Sequence, residues 1–538
     1  MKRHDLIWLL LAGLLFQGFW LLLLPTPAYM DAYYYTTNGQ RLAEGHGWTE
    51  MVVWQYLDNP AGVPTPSHTY WMPLPSLFAA AGYTLTSSFR GAQLPFWLMT
   101  SLLPLLSYLI SHKLGGERWQ NIAAALFTLS GGFYLANWNQ PETFAPFAWA
   151  GGGCLFLLAW AGQKNLSQRI TPFLYGGVGV LAGLAHLTRA DGVLLLAVAF
   201  LVVFINQWAV WAVRGETAGK QNLGKTSLLA PDMPLRRTFL GLGWILLGYL
   251  LVMLPWFSHN LRTTGQLLPT TGTQTLFLTT YDDLFAYGRT FSLSSYLEWG
   301  LGNILRAKAR GMGNALQTFI AIGGLIFLTP FVLAGGWWYW RRGQNRWLRP
   351  LLLYTLALFA AMSLVFTFPG ERGGLFHSSV ALWPWFMALV PAGISWSVEG
   401  MARRLPHWQP ARAKRLFTGL FIGVALVLGL VLGFTRGTTD VNARLYAQVG
   451  NSLPEEAVVM VGNAPAYYYF THQPAYSLPN EPIETVLAAA ARYHITHLIL
   501  DENHPLPLAE LYGGTLSHPA LEQVTTLETI RVYQITNR

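Results

Sequence analysis

The sequence predicts an α-helical protein that crosses a membrane many times and ends in a small α/β domain outside it. Three observations predict this. Of 538 residues, 52% are hydrophobic and only 11% charged, against roughly a quarter charged in an ordinary soluble domain. Apolar runs recur up to residue 434, with the length of about twenty residues that crosses a bilayer core. Beyond residue 438 the composition turns soluble, and short strand and helix patterns alternate.

The chain opens MKRHD and then runs apolar over 6–24. No small-residue cleavage site follows, only PTPAYMD, so this segment reads as a retained first span. Ten more spans are expected near 93–112, 119–136, 143–162, 171–188, 190–212, 238–257, 314–338, 349–367, 376–397 and 415–434. The run 73–88 (PLPSLFAAAGYTLTSS) is short and carries two prolines. Charge decides its status. If it does not cross, then Lys113, Arg118, Lys164, Arg169, the basic stretch 214–237, Arg341, Arg342, Arg346 and the basic loop 402–415 all share the side of Lys2 and Arg3. The positive-inside rule selects that arrangement. It gives about eleven spans in the inner or plasma membrane, a cytoplasmic N-terminus, an outer juxtamembrane helix at 73–88 and an extracytoplasmic C-terminus. The net charge of +9 is then topological, and no nucleic-acid partner is expected. Cys154, the one cysteine, lies in the apolar run GGGCLFLLAW, which suits packing and allows no intrachain disulfide.

Residues 1–437 form the membrane domain, with a first outer loop at 26–92 and a later one at 258–312. Residues 438–538 form the soluble domain. There VVMVG (458–462) and THLILD (496–501) read as strands, IETVLAAAARYH (483–494) as a helix and TIRVYQI (529–535) as an edge or final strand. No G-x-G-x-x-G turn follows the first strand, so no nucleotide is assigned. The aromatic AYYYFTHQPAY (466–476) either lines a surface or packs this domain onto the membrane part.

The unusual polar residues gather on the outer side, where a site is to be sought. Asp31 stands in AYMDAYYYTTNGQRLAEG (28–45), at the start of a helix that continues to Arg41 and Glu44. Glu142 follows a proline in NQPET, Arg189 lies in LTRADG, and Arg372 and His377 lie in ERGGLFH. Cations at that boundary suit anionic lipid headgroups. His68 and Glu44 could touch substrate or metal. Tyr34, with Tyr33 and Tyr35, could stack on a sugar or sit as interfacial aromatics. The acids of YDD (281–283) read as an exposed loop.

This constellation resembles the GT-C superfamily of integral-membrane glycosyltransferases, which use polyprenyl-phosphate sugars, such as the protein O-mannosyltransferases and lipid A aminoarabinose transferases. The resemblance covers most of residues 1–400. It rests on YMDAYYY after the first span, a proline-bearing outer helix (SHTYWMPLPSLFAA, 67–80), NQPET after the third span, and GLAHLTRADG (183–192). The chain departs from the family pattern in having Glu142 where many relatives have Asp, and ERGGLFH in place of an Arg-Tyr segment.

The resemblance implies sugar transfer from a polyprenyl-phosphate-linked donor to an extracytoplasmic acceptor, whether protein, lipid or glycan. Asp31 would be the general base of an inverting displacement. Arg372, backed by His377 and Arg189, would hold the donor phosphate. Glu142 could bind a divalent metal with Asp31, contact the acceptor, or cap the next span. Two rivals remain. A lipid-linked sugar flippase or transporter would more often show inverted repeats and mid-membrane charges. A non-enzymatic assembly subunit would tolerate loss of Asp31.

Overall fold

The computed structural model describes residues 2–163, 166–220, 232–268, 271, 274–367, 373–405, 408–436 and 441–536. Among them, seven helices are long and apolar enough to cross a membrane: Arg3–Leu22, Phe89–Lys113, Phe144–Ala161, Thr238–Thr264, Asn345–Val365, Gly374–Ala402 and Pro410–Arg436. The chain is thus built as a multi-pass membrane protein.

The other four predicted spans fall short in length, continuity or apolarity. The run 119–136 is helical only over Arg118–Leu129, because Gly131 (φ 67°) and Gly132 (φ 51°) turn left-handed. The run 314–338 breaks into Leu301–Thr318 with a short wide turn to Gly323, and Thr329–Arg341. Leu325 and Ile326 both have positive φ between the two pieces. In 190–212 the described apolar stretch is Ala190–Asn206. Helix Thr171–Thr188 is diluted by four glycines, Tyr175 and His186.

Helix α1 (Arg3–Leu22) and helix α2 (Met30–Ala43) are followed by α3 (Leu74–Thr86) and α4 (Phe89–Lys113). The Arg90 guanidinium, at the start of α4, donates to the Leu24 carbonyl at 3.0 Å and the Leu22 carbonyl at 3.1 Å. The chain between 24 and 90 therefore leaves and re-enters the bundle at the same end. Helix α3 does not cross it; its 13 residues would reach only about 20 Å. Close backbone approach seats it: a Cβ on Gly39 would lie 2.6 Å from Ala79, and one on Gly82 would lie 2.2 Å from the Gly91 carbonyl oxygen.

Helices α5 (Arg118–Leu129), α6 (Phe144–Ala161), α7 (Thr171–Thr188), α8 (Val193–Lys220) and α9 (Asp232–Thr264) come next. Helices α7 and α9 meet along a glycine seam, the usual packing of membrane helices that lack a hydrophobic drive toward each other. A Cβ on Gly179 would stand 2.0 Å from the Ile245 carbonyl oxygen, and one on Gly248 would stand 2.2 Å from that of Gly176. Backbone cannot yield as a side-chain tip can. Gly179→Val is expected to lower stability by at least about 1–3 kcal/mol, read as an earlier thermal transition in detergent.

In the first loop β1 (Thr49–Glu50) pairs with β3 (Thr65–Pro66), and β2 (Val52–Val53) joins a six-stranded sheet in the order β2-β5-β4-β6-β8-β7, where β4 is Val459–Val461, β5 Ala475–Ser477, β6 His497–Leu500, β7 Leu521–Leu527 and β8 Ile530–Ile535. Its edge strand β2 (Val52–Val53) belongs to the first loop and pairs parallel with β5, Val52 opposite Ala475. TIRVYQI is the last strand in the chain but lies inside the sheet, between β6 and β7. The aromatic run 466–476 supplies a helix, Ala464–Thr471, that packs on α2. Tyr33 meets Tyr469 and Phe470 at ring distances of 5.2 and 5.8 Å, and Arg41 donates to the Tyr468 hydroxyl at 3.3 Å. Helix α2 is thus clamped between the sheet domain and α3.

Candidate active site

Three turns at one end of the bundle bring their polar residues together. Asp31 sits in the first turn of α2, where the helix N-terminus favours an acid. Glu142 lies in the turn that opens α6 and accepts the Phe144 amide through Oε2 at 3.0 Å, as the helix-capping reading of NQPET expects. His377 lies on the short helix Gly374–Ser379. Asp31, Glu142 and His377 each offer a ligand atom, and these atoms lie within 4.8 Å of one another. Glu142 is fully buried.

His377 Nδ1 stands 3.2 Å from Glu142 Oε1 and 3.0 Å from the Thr143 hydroxyl. Thr143 in turn reaches Glu142 Oε2 at 2.9 Å. Two acceptors facing Nδ1 place a proton there. Phe144 stacks on the imidazole at 4.3 Å and fixes its plane. The imidazole predicted for the donor phosphate is therefore engaged with a carboxylate.

Arg189, at the end of α7, places Nε 3.1 Å from both Asp191 Oδ1 and the Ser378 hydroxyl. The Ser378 hydroxyl also donates to Asp191. Arg189 feels the charge of Glu142 as well as that of Asp191, so it belongs to the same cluster.

The two acids divide their titration. Burial, and then the charge of Glu142, push the Asp31 carboxyl up to about 6; His377 and Arg189 pull the other way. Burial also raises Glu142, but the charge and hydrogen bond of His377, with Arg189 and Thr143, outweigh it and hold Glu142 below its ordinary range. One acid is poised as a base while its neighbour keeps its charge. The Tyr29 and Tyr35 hydroxyls are buried without a hydrogen-bond partner, and Tyr35 stands one helical turn beyond Asp31 on the same face. Burial first, then Glu142 and Asp31, push both phenols well above their usual range.

The remaining predicted residues lie elsewhere. Tyr34 packs on Trp71 at 4.4 Å, and its hydroxyl accepts from the His68 amide at 2.8 Å. The His68 ring bonds Ser67 at 2.8 Å and Ser76 at 2.9 Å, and burial pushes it down to about 3, neutral at any physiological pH. Glu44 ends α2 at the surface, bonded to Gln40 at 2.8 Å. Asp283, of YDD, is buried and takes the Thr279 and Thr280 amides. Arg372 lies outside the described residues. The sequence does not single out Thr143, Phe144 or Ser378; the first two follow Glu142 and Ser378 follows His377, and that adjacency is the signal for all three.

Glu50, which bonds Tyr34 and Asn38 behind α2, is pushed up to about 8, chiefly by burial. Its folded value lies above its unfolded one, so its stabilising contribution is complete below the unfolded value and is lost as pH rises through about 8. Wild-type protein should lose stability relative to Glu50→Gln between about pH 4.5 and 8, on the order of 1 kcal/mol per pH unit, and level off above that. Melting curves of the pair across that range are the check.

No family model and no curated protein matches the sequence. Solved structures do match the fold. ArnT from Cupriavidus metallidurans, in the apo state, superposes with a TM-score of 0.55 at 14% identity, over 98% of this chain and 97% of that one. The oligosaccharyltransferase AglB from Archaeoglobus fulgidus, in complex with an inhibitory peptide and a dolichol-phosphate, superposes at 0.53 and 12% identity, over 95% and 71% of the two chains. The Archaeoglobus fulgidus oligosaccharyltransferase in complex with Zn and sulfate gives 0.53 at 12%, over 94% and 69%. The chain has the GT-C fold. In that GT-C frame the cluster of Asp31, Glu142, His377 and Arg189 occupies the end of the bundle at which the first loop and the sheet domain meet.

Proposed function

We propose that the protein is a membrane glycosyltransferase that moves a sugar, hexosyl or pentosyl, from a polyprenyl-phosphate-linked donor to an extracytoplasmic acceptor. One observation carries this reading: a pair of carboxylates, Glu142 buried and Asp31 half-buried, with opposed titration, backed by an imidazole and a guanidinium, at one end of a GT-C bundle. Asp31 takes the proton of the acceptor nucleophile as it attacks the anomeric carbon. The bond from that carbon to the donor phosphate oxygen breaks, and the configuration inverts. Arg189 stabilises the charge that grows on the departing phosphate. The Tyr29 and Tyr35 hydroxyls are buried near the two acids and offer two donors to a substrate oxygen.

A second reading of the same residues has its own observation. Two carboxylates and an imidazole within 4.8 Å of one another form a mixed O and N donor set that suits a divalent transition metal. Asp31, Glu142 and His377 would hold it, and the metal would supply Lewis-acid charge for the phosphate oxygens. The test is transfer of radiolabelled sugar from a polyprenyl-phosphate donor by the purified protein in vesicles, before and after chelation. A loss restored by Mn²⁺ or Zn²⁺ favours the metal reading. Unchanged transfer leaves Asp31 as base alone, and no transfer from any such donor sinks the function.

A further inference from the structure

Lys113, Arg346 and Arg349 converge on one end of the bundle. It is the end at which the chain starts: Asp5, in the first turn of α1, pairs with Arg118 at 2.6 Å just past α4. It lies opposite the acid cluster, because the 25 residues of α4 run from Arg90, beside the Leu24 carbonyl, to Lys113, about 37 Å away. Lys113 is exposed there and holds its ammonium 4.7 Å over the Trp160 ring. Two residues on, the Gly162 carbonyl accepts from Arg346 Nη1 at 3.0 Å. Asn206 of α8 adjoins Gly162, where a Cβ would meet its amide nitrogen at 2.9 Å, and Asn206 Oδ1 accepts from Arg349 Nη1. The three cations thus ring the C-terminus of α6.

Their charges are poorly matched by the protein. Arg346 and Arg349 stand three residues apart at the start of helix Asn345–Ala360, so their side chains are neighbours of like charge, and the Arg346 charge acts on Arg349. The helix dipole disfavours a cation at that end. The α6 C-terminus returns about half a negative charge, against three positive ones. Both guanidiniums are half-buried. Among the described residues neither they nor Lys113 pairs with a carboxylate. Each guanidinium has five N–H donors and gives the protein only Nη1. Such a set suits an anion, and depth names it. Trp337 and Trp340 are exposed just before the turn that leads to Arg346, and Arg341 lies over Trp337 at 5.2 Å. Exposed tryptophans at the ends of apolar helices mark the headgroup layer, whose anion is phosphate.

We propose that Lys113, Arg346 and Arg349 form a headgroup site for an anionic phospholipid, its phosphate held by the two guanidiniums between the ends of α4, α6 and α8. Charge complementarity selects this partner: guanidinium meets phosphate bidentately, and a basic pocket between helix ends is where an acidic headgroup gains most. The site stands at the far end of the bundle from Asp31 and is independent of the transfer chemistry.

The test uses the full chain, purified with phosphatidylglycerol and phosphatidylcholine in equal amounts and read by native mass spectrometry. Preferential retention of phosphatidylglycerol is expected. It should fall about fivefold in Lys113→Gln, at an exposed position, and about 25-fold in the Arg346→Gln/Arg349→Gln double variant, at roughly a factor of five per cation. Arg404→Gln removes an exposed charge from the basic loop 402–415 and should leave retention unchanged. Equal losses in Arg404→Gln and Lys113→Gln would make the effect one of net charge and overturn the site. Equal retention of the two lipids by wild type would do the same. So would displacement of phosphatidylglycerol by inorganic phosphate, which marks a site for a soluble anion.

Discussion

Asp31→Asn is expected to lower sugar transfer by about 10²–10⁴-fold, the usual contribution of a positioned general base, while leaving the fold intact. The amide keeps the size of the side chain and its place in the first turn of α2, but it cannot take a proton. Its effect on stability runs the other way. Burial and Glu142 raise the folded Asp31 carboxyl to about 6, so its stabilising contribution is complete below the unfolded value and is lost as pH rises through about 6. At neutral pH the charged Asp31 strains against Glu142. Chelator-treated Asp31→Asn protein should therefore melt later than wild type, by roughly 1 kcal/mol after allowance for partial solvent access. Inactive and more stable is a signature that misfolding does not produce. Retained transfer would remove Asp31 from the base role, and it would favour the assembly-subunit alternative if no donor is used at all.

How far the site was legible follows from the medium. A bilayer leaves few places for acids and cations, so Asp31, Glu142, Arg189 and His377 stood out against apolar runs. The charge pattern alone placed them on one side, and the structure brings all four together. What charge could not tell was pairing. His377 looked like a phosphate ligand beside Arg372, yet its Nδ1 faces Glu142 and Thr143. A hydroxyl such as Ser378 is one among many until the chain is folded. Tyr34 and Tyr35 are adjacent in sequence but divide between an aromatic packing site and the acid cluster, which helical rotation decides.

The fold was legible where periodicity is long and lost where it is short. Strand β2 is only Val52–Val53, too brief to announce itself inside a polar loop, yet it joins the first loop to the C-terminal sheet. That junction, with the Tyr33 contacts, holds α2 from the side opposite α3. The helix that presents Asp31 is thus positioned by residues more than 400 positions away, such as Tyr468 against Arg41. Breaks at Gly131 and near Leu325 divided runs whose hydropathy read as continuous, because backbone handedness leaves no mark on hydropathy.

Arg189→Gln is expected to cost about 10²–10³ in kcat, the usual loss when one preorganised donor to a developing oxyanion is removed. Two effects act in the same direction. The leaving phosphate loses its cation, and Asp31 loses a charge that lowers its pKa, so less of it is ionised near neutral pH. Arg189→Lys keeps the charge but not the planar fork that reaches Asp191 and Ser378 together, and should fall between the two. A structural account of Arg189 makes a different forecast: its partner Asp191 would matter equally. Asp191→Asn leaves the guanidinium in place and free of its acid, so on the phosphate reading it should reduce kcat far less than Arg189→Gln. Equal losses in the two variants would make Arg189 a strut for the turn between α7 and α8, and the phosphate would need another cation.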